Sequence, residues 1–132
     1  MEMQHQSVSS LARWAQNVYV ALAGLILLGI FTQGFLIGTM LFGGSASGRQ
    51  AHGLLGMILV VFVLLQAISG LLTCFPSLIK WGSWLLFALV VIQIMLPSLG
   101  AVAGSLHPAN ATLLFGVDVF LLVRAWQCRR SK

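Results

Sequence analysis

Long apolar runs broken by short Gly-, Ser- and Pro-rich turns organise this chain. No Asp, Glu, Lys or Arg falls between Arg13 and Arg49, between Arg49 and Lys80, or between Lys80 and Asp118. A helix needs about 20 apolar residues to cross a hydrocarbon layer about 30 Å thick. Turn signals divide the runs into four spans, at about 14–42, 50–74, 81–97 and 107–127. The first ends at Gly43-Gly44-Ser45-Ala46-Ser47-Gly48, Pro76 stops the second, and Pro97-Ser98 closes the third. His107-Pro108 opens the fourth, where proline suits a first helical turn. A transmembrane β-barrel would instead show polar and apolar alternation in segments of roughly ten residues. The pattern therefore predicts an all-α membrane protein. It is a single domain over 1–132, an antiparallel up-down-up-down four-helix transmembrane bundle.

Charge adds the orientation. The chain has seven basic and two acidic residues and a net charge of +5. No water-soluble domain of this size leaves such stretches uncharged, because it must cover its surface with polar groups. With the N-terminus in the cytoplasm, Arg13, Lys80, Arg124, Arg129, Arg130 and Lys132 gather on the cytoplasmic side and Arg49 stands alone opposite. That asymmetry predicts both termini inside. The positive balance is a topology signal assisted by anionic headgroups, not a nucleic-acid footprint. Met1 to Ser10 carries no positive charge and the apolar run that follows is too long for a secretory h-region, so a cleaved signal peptide is not expected. Trp14, Tyr19, Trp81, Trp84 and Trp126 are expected as an aromatic belt near the cytoplasmic ends. Cys74 and Cys128 fall on the same, reducing side and read as free thiols. His5 lies in a polar leader and reads as a solvated residue.

The chemistry centres on His52 and His107. Each is expected in the first turn of a helix descending from the outer face, so the two imidazoles share one depth. In this connectivity the second and fourth helices are diagonal. Side chains from diagonal helices can hold a flat macrocycle between them, as in bis-histidine haem b ligation. Neutral imidazole is the form that ligates iron or copper. Gly53 and Gly56 remove bulk beside and one turn below His52, and Arg49, one turn before it, is placed to pair with a propionate. Small residues equally let membrane helices pack closely without a cofactor, and Arg49 equally reads as an interfacial arginine in a solvated loop. Met40 and Met57 near the same site make copper the second choice of metal, although methionine in such helices is usually packing. Gln33 and Gln93 each precede a Gly/Ser-rich connection and then a histidine, a weak internal repeat that relates the two hairpins.

Asp118 lies inside the fourth span, where a charge costs roughly 2.5–3.5 kcal/mol on the insertion scale. It shares a helix face with His107 and would lie about 16 Å deeper. Gln66 shares a face with His52, and Gln33 is expected at the depth of Asp118, giving a polar column through the bundle. One reading makes Asp118 a proton relay or an ion or solute contact. The other makes it a protonated acid hydrogen-bonded to Gln33, Gln66 or Ser69, worth about 1 kcal/mol of helix association. Arg124 projects away from Asp118 and is expected to snorkel.

Three segments carry a resemblance: Gln33-Gly34-Phe35-Leu36-Ile37-Gly38 with Leu41-Phe42-Gly43; Ala51-His52-Gly53-Leu54-Leu55-Gly56; and Leu106-His107-Pro108-Ala109-Asn110-Ala111. Over nearly its whole length the chain resembles a family of small prokaryotic four-helix membrane proteins of unassigned function. The His-Pro-x-Asn-Ala segment implicates Asn110 beside His107. That family commonly has a bulky basic residue after the first histidine, where this chain has Gly53. The layout is also similar to one four-helix half of haem A synthase, which implies haem ligation by His52 and His107. No acidic residue beside them matches that enzyme's catalytic glutamate.

The expected function is haem b binding and electron transfer in the cytoplasmic membrane of a prokaryote, with a quinone or membrane redox partner, as an oxidoreductase or a component of one. Glycine faces such as Gly34 and Gly38 permit a homo-oligomer. The alternatives are an ion, proton or solute transporter built on Asp118, and a non-catalytic assembly subunit of a membrane complex. No phosphate-binding loop, paired carboxylates or activated nucleophile points to hydrolytic or phosphoryl-transfer chemistry.

Overall fold

The computed structural model describes residues 9–131; the solvated leader position of His5 and the cytoplasmic placement of Lys132 lie outside that range. The described residues form helices and short turns: α1 (Ser10–Gly43), α2 (Ala46–Leu71), α3 (Ser77–Met95), a 3₁₀ turn (Leu96–Leu99), α4 (Ala101–Ser105) and α5 (His107–Arg130). Four helical segments are long and apolar enough to cross a membrane: Ser10–Gly43, Ala46–Leu71, Ser77–Leu99 and Ala101–Arg130.

Local signals fix the helix ends. The Ser9 hydroxyl accepts from the Ala12 N–H at 3.2 Å, capping α1. At the far end Gly44 adopts φ 60°, and its N–H reaches the Met40 carbonyl at 3.2 Å. That left-handed cap costs glycine nothing. Ser45 then starts α2 at once, its hydroxyl accepting from the Gly48 N–H at 3.0 Å. The second span therefore begins at Ala46, not near residue 50, and Arg49 is helical. Pro76 was expected to stop the second helix. Instead α2 ends at Leu71, Thr73 bridges the turn by donating to the Gly70 carbonyl, and Pro76 caps α3. The third connection is not a simple loop. After Pro97 the chain makes a 3₁₀ turn, passes through Gly100 at φ 102° and forms the short α4 before His107 opens α5.

α1 packs on α2 and α5, α2 on α3, and α3 on α5, so α2 and α5 face each other across a ring of four. The buried positions recur at helical spacing. Tyr19, Ala23 and Ile26 on α1 have counterparts in Ile79, Ser83 and Leu86 on α3. Leu59, Val63, Gln66 and Gly70 on α2 have counterparts in Leu114, Asp118, Leu121 and Ala125 on α5. The two hairpins thus bury matching positions, as the glutamine–histidine repeat anticipated.

Packing is uneven along the bundle. No hydrophobic side chain of the core lies between Ile26 and Leu59, or between Leu96 and Leu114. The stretches left without one carry both histidines. Most of the core fills the opposite half, with Val90 and Leu96 its members flanking Gln93; there Gly29 receives Leu59 and Gly82 receives Leu121, and a Cβ on Gly82 would come within 2.7 Å of the Leu121 Cδ2. Tyr19, expected in an aromatic belt, is fully buried in this half and donates to the Ser83 hydroxyl at 2.7 Å. Trp14, Trp81 and Trp126 are exposed, and the Arg129 and Arg130 guanidinium groups each lie 5.5 Å from the Trp126 ring.

Candidate functional site

His52 and His107 come together. Their ring centroids are 6.0 Å apart with the ring planes inclined by 56°. His107 is the first residue of α5, with Pro108 beside it in the opening turn. His52 lies in the second turn of α2, one turn deeper than expected, because Ser45 starts that helix early. Both residues are half-buried.

A hydrogen-bonded frame positions them. The Gln33 amide Nε2 donates to the His52 main-chain carbonyl at 3.0 Å, and the Gln93 Nε2 donates to the His107 carbonyl at 3.1 Å. Each glutamine thereby ties a histidine turn to the preceding long helix, and each carbonyl uses its second lone pair to accept. Gly56 makes this possible on α2, since a Cβ there would stand 3.3 Å from the Gln33 Nε2. Gly53 borders open space. Around His107 the frame goes further. The ring Nδ1 lies 3.0 Å from the Gln93 main-chain carbonyl, and the Asn110 amide donates to the Gln93 Oε1 at 2.7 Å and to the Leu89 carbonyl at 3.0 Å. A carbonyl only accepts, so His107 carries its proton on Nδ1 and leaves Nε2 with a free lone pair. Metal-binding histidines are commonly oriented by such a bond.

The geometry fits a shared metal. A metal–imidazole bond is about 2 Å, so two such bonds in line plus the radii of both rings separate the centroids by about 6 Å. The His52 Nδ1 is buried without a hydrogen-bond partner. Among the described residues no group of three or more His, Cys, Asp or Glu side chains gathers to hold a metal. Met57, weighed for copper, is exposed, and Met40 lies against Gly48. Arg49 is exposed on the first turn of α2.

The expected polar column is two separate clusters. Gln33 sits at the histidine level, bonded to His52, and not beside Asp118. Its reach follows from the early start of α2, which sets His52 deeper. Leu59 and Leu114, each two turns beyond its histidine, interpose an apolar layer. Beyond that layer Gln66 and Asp118 are fully buried; the Gln66 side chain approaches both the Asp118 carboxyl, as expected, and the Tyr19 hydroxyl, but none of these contacts reaches good hydrogen-bond geometry. The bonds expected from Gln33 and Ser69 to Asp118 are not made: Ser69 donates to the Gln66 carbonyl at 2.9 Å. Tyr19 and Gln66 flank this centre, a cluster with one residue from each long helix once Ser83 is included. Arg124 turns away and donates to the Gln127 Oε1 at 3.3 Å. Cys74 and Cys128 are free thiols.

The sequence marked Gln33, Gln93 and Asn110 but not the bonds they make. The spacing of a glutamine and a histidine across a connection was the available signal. The Tyr19–Ser83 bond had none, because it joins α1 to α3 across the ring. Comparison with protein-family models, with curated proteins and with solved structures finds no match to this chain, so its function rests on the site itself.

Proposed function

We propose that the chain is a haem b-binding membrane protein whose iron is held by His52 and His107. The observation that carries this is the 6.0 Å separation of the two rings from facing helices. Three features support it: the Gln93 carbonyl orienting His107, the glutamine bonds tying each histidine turn to the preceding long helix, and the apolar Leu59 and Leu114 layer beneath the pair. The bundle is antiparallel, up-down-up-down, with both termini cytoplasmic and the histidines near the outer face of a prokaryotic cytoplasmic membrane. The charge asymmetry of the connections supports that orientation. Haem supplies one-electron transfer when bound. The chain's own contribution is to fix two neutral imidazoles, to exclude water with the Leu59 and Leu114 layer, and to offer Arg49 to a propionate. A quinone or a membrane redox partner then exchanges electrons at that face.

The test is the reduced-minus-oxidised visible spectrum of detergent-purified protein. A sharp α-band that His52→Ala and His107→Ala each alter supports the assignment, and a colourless protein that takes up no added haemin rejects it.

The buried, unpartnered Asp118 favours a second reading, an ion, proton or solute transporter. Cofactor-free protein that moves ions in liposomes, and loses flux in Asp118→Asn, supports that reading over the first. Gly34 and Gly38 have nothing within 4 Å of a would-be Cβ and leave a face for a second copy or for a larger complex.

A further inference from the structure

The two hairpins match closely enough that their differences at the histidines stand out. Both glutamines bond to a histidine carbonyl. Only in the second hairpin does the frame extend to the ring. There the Gln93 main-chain carbonyl holds the His107 Nδ1, and Asn110 occupies the Gln93 side-chain oxygen while anchoring itself on the Leu89 carbonyl. In the first hairpin Leu55 stands where Asn110 would be, three residues after the histidine. The consequence is direct: the Gln33 Oε1 is buried without a partner, and so is the His52 Nδ1. The His52 ring lies beside the Gln33 main chain without closing the bond that its counterpart makes.

Resting on the haem reading above, we propose that the two ligands are unequal. His107 is the fixed ligand and His52 the displaceable one, so the His52 side of the site admits a small neutral ligand of the diatomic or imidazole class. Swinging the His107 ring breaks a hydrogen bond between its nitrogen and the main chain of α3. Swinging the His52 ring gives up only a weaker approach to the Gln33 main chain and frees a buried nitrogen that lacks a well-formed hydrogen bond. Gly53, next to His52, is exposed and has nothing within 4 Å of a would-be Cβ, so the flank beside that ring is open to the surroundings of the bundle. Loss of a partner behind a metal-bound histidine typically costs 10–100-fold in affinity, so the two positions should differ by at least about tenfold in how firmly they hold iron. Gln93 and Asn110 are positioning residues in this scheme and His52 is the gate.

The full-length protein in detergent, loaded with haemin, tests the scheme. His52→Ala should retain haem as a five-coordinate, high-spin species that binds added imidazole when ferric and carbon monoxide when reduced. His107→Ala should hold at least tenfold less haem. Because His107→Ala also removes a structural bond, Asn110→Leu serves as the second variant. It keeps both histidines and should raise the fraction of reduced protein that takes up carbon monoxide. In the haem-free protein, ¹⁵N-histidine spectra should show one Nδ1–H tautomer for His107 and a mixture for His52. Equal haem loss in the two alanine variants, or identical tautomer behaviour of the two rings, overturns the proposal while leaving haem binding intact. A wild type that binds no haem overturns both.

Discussion

Asp118 and Gln66 are the most expensive side chains in this bundle, and the other hairpin shows what could replace them. Both are fully buried, and four of their polar atoms have no hydrogen-bond partner. The matching positions are Val63 for Asp118 and Leu121 for Gln66, both buried and apolar. Replacing each polar residue by its counterpart, Asp118→Val with Gln66→Leu, adds about one methylene of volume at each site, which offsets part of the gain, and removes every unpaired atom of the pair. A buried polar group left unsatisfied costs about 1–3 kcal/mol, and an aspartate at a helix centre costs roughly 2.5–3.5 kcal/mol on the insertion scale. The side chains are neighbours, so their effects are not expected to add fully. The double variant should therefore unfold with a free energy about 2 kcal/mol higher than wild type.

The assay is an equilibrium unfolding titration in mixed micelles, followed by helical signal, on wild type, both single variants and the pair. Each single variant should also gain, by about 1 kcal/mol or more. A double variant that loses stability by that amount refutes the reasoning. It would mean that the atoms without protein partners are satisfied in the membrane by ordered water or an ion, as the transport reading requires. A stable double variant that loses flux or electron transfer would instead identify Asp118 as a group retained for function at the expense of stability.

Other outcomes follow from separate parts of the molecule. Tyr19→Phe removes the 2.7 Å bond to Ser83, but Ser83 keeps its own bond to the Ile79 carbonyl at 2.8 Å; the same titration should show a loss of about 1 kcal/mol, and a loss several times larger would place Tyr19 in the Asp118 centre as an essential donor. Gly29→Ala puts a Cβ within 2.5 Å of the Leu59 Cδ2; the leucine tip must turn aside, and with a helix-propensity gain of about 1 kcal/mol offsetting the overpacking the net loss should be no more than about 1 kcal/mol, which a drop in stability several times larger would contradict. With both termini cytoplasmic, a cysteine placed at Ser47 should react with an impermeant maleimide on intact cells, whereas exposed Cys74 should react only after permeabilisation; the reverse pattern inverts the topology.

The four spans were legible because charge and turn residues are absent from long apolar runs, and nothing in the packed structure changes that reading. Helix ends were less so. Ser45 and Pro76 both sit in stretches that look like connections, yet each caps the helix that follows. One added turn at the head of α2 was enough to misplace Gln33, whose amide was expected beside Asp118 and instead reaches His52. Tyr19 was misjudged for a related reason. An aromatic near a predicted span end suits the interface, but α1 begins at Ser10, and the hydroxyl finds Ser83 on a helix that sequence order does not place beside it. The pairing of His52 with His107 was anticipated, because connectivity alone puts α2 opposite α5.

The same duplication explains why the histidine end is where function is expected. Two hairpins that bury matching positions would, if identical, give a bundle with two equivalent ligands and an apolar centre. This chain departs from that symmetry at both levels. At the histidines, Asn110 has a leucine, Leu55, as its counterpart, so the Gln93 side-chain oxygen is bonded while the Gln33 oxygen is not, and the His107 ring makes a well-formed main-chain bond that the His52 ring lacks. At the centre, Asp118 and Gln66 stand opposite valine and leucine counterparts, so two polar side chains replace two apolar ones. Packing alone gives no reason for either departure, since the apolar alternative already exists in the partner hairpin. On the haem reading proposed above, unequal histidines would distinguish two faces of the cofactor, and a polar pair beneath them distinguishes two sides of the bundle. A device that merely stored a cofactor would need neither distinction, whereas one that admits a ligand or an electron from a single side needs both.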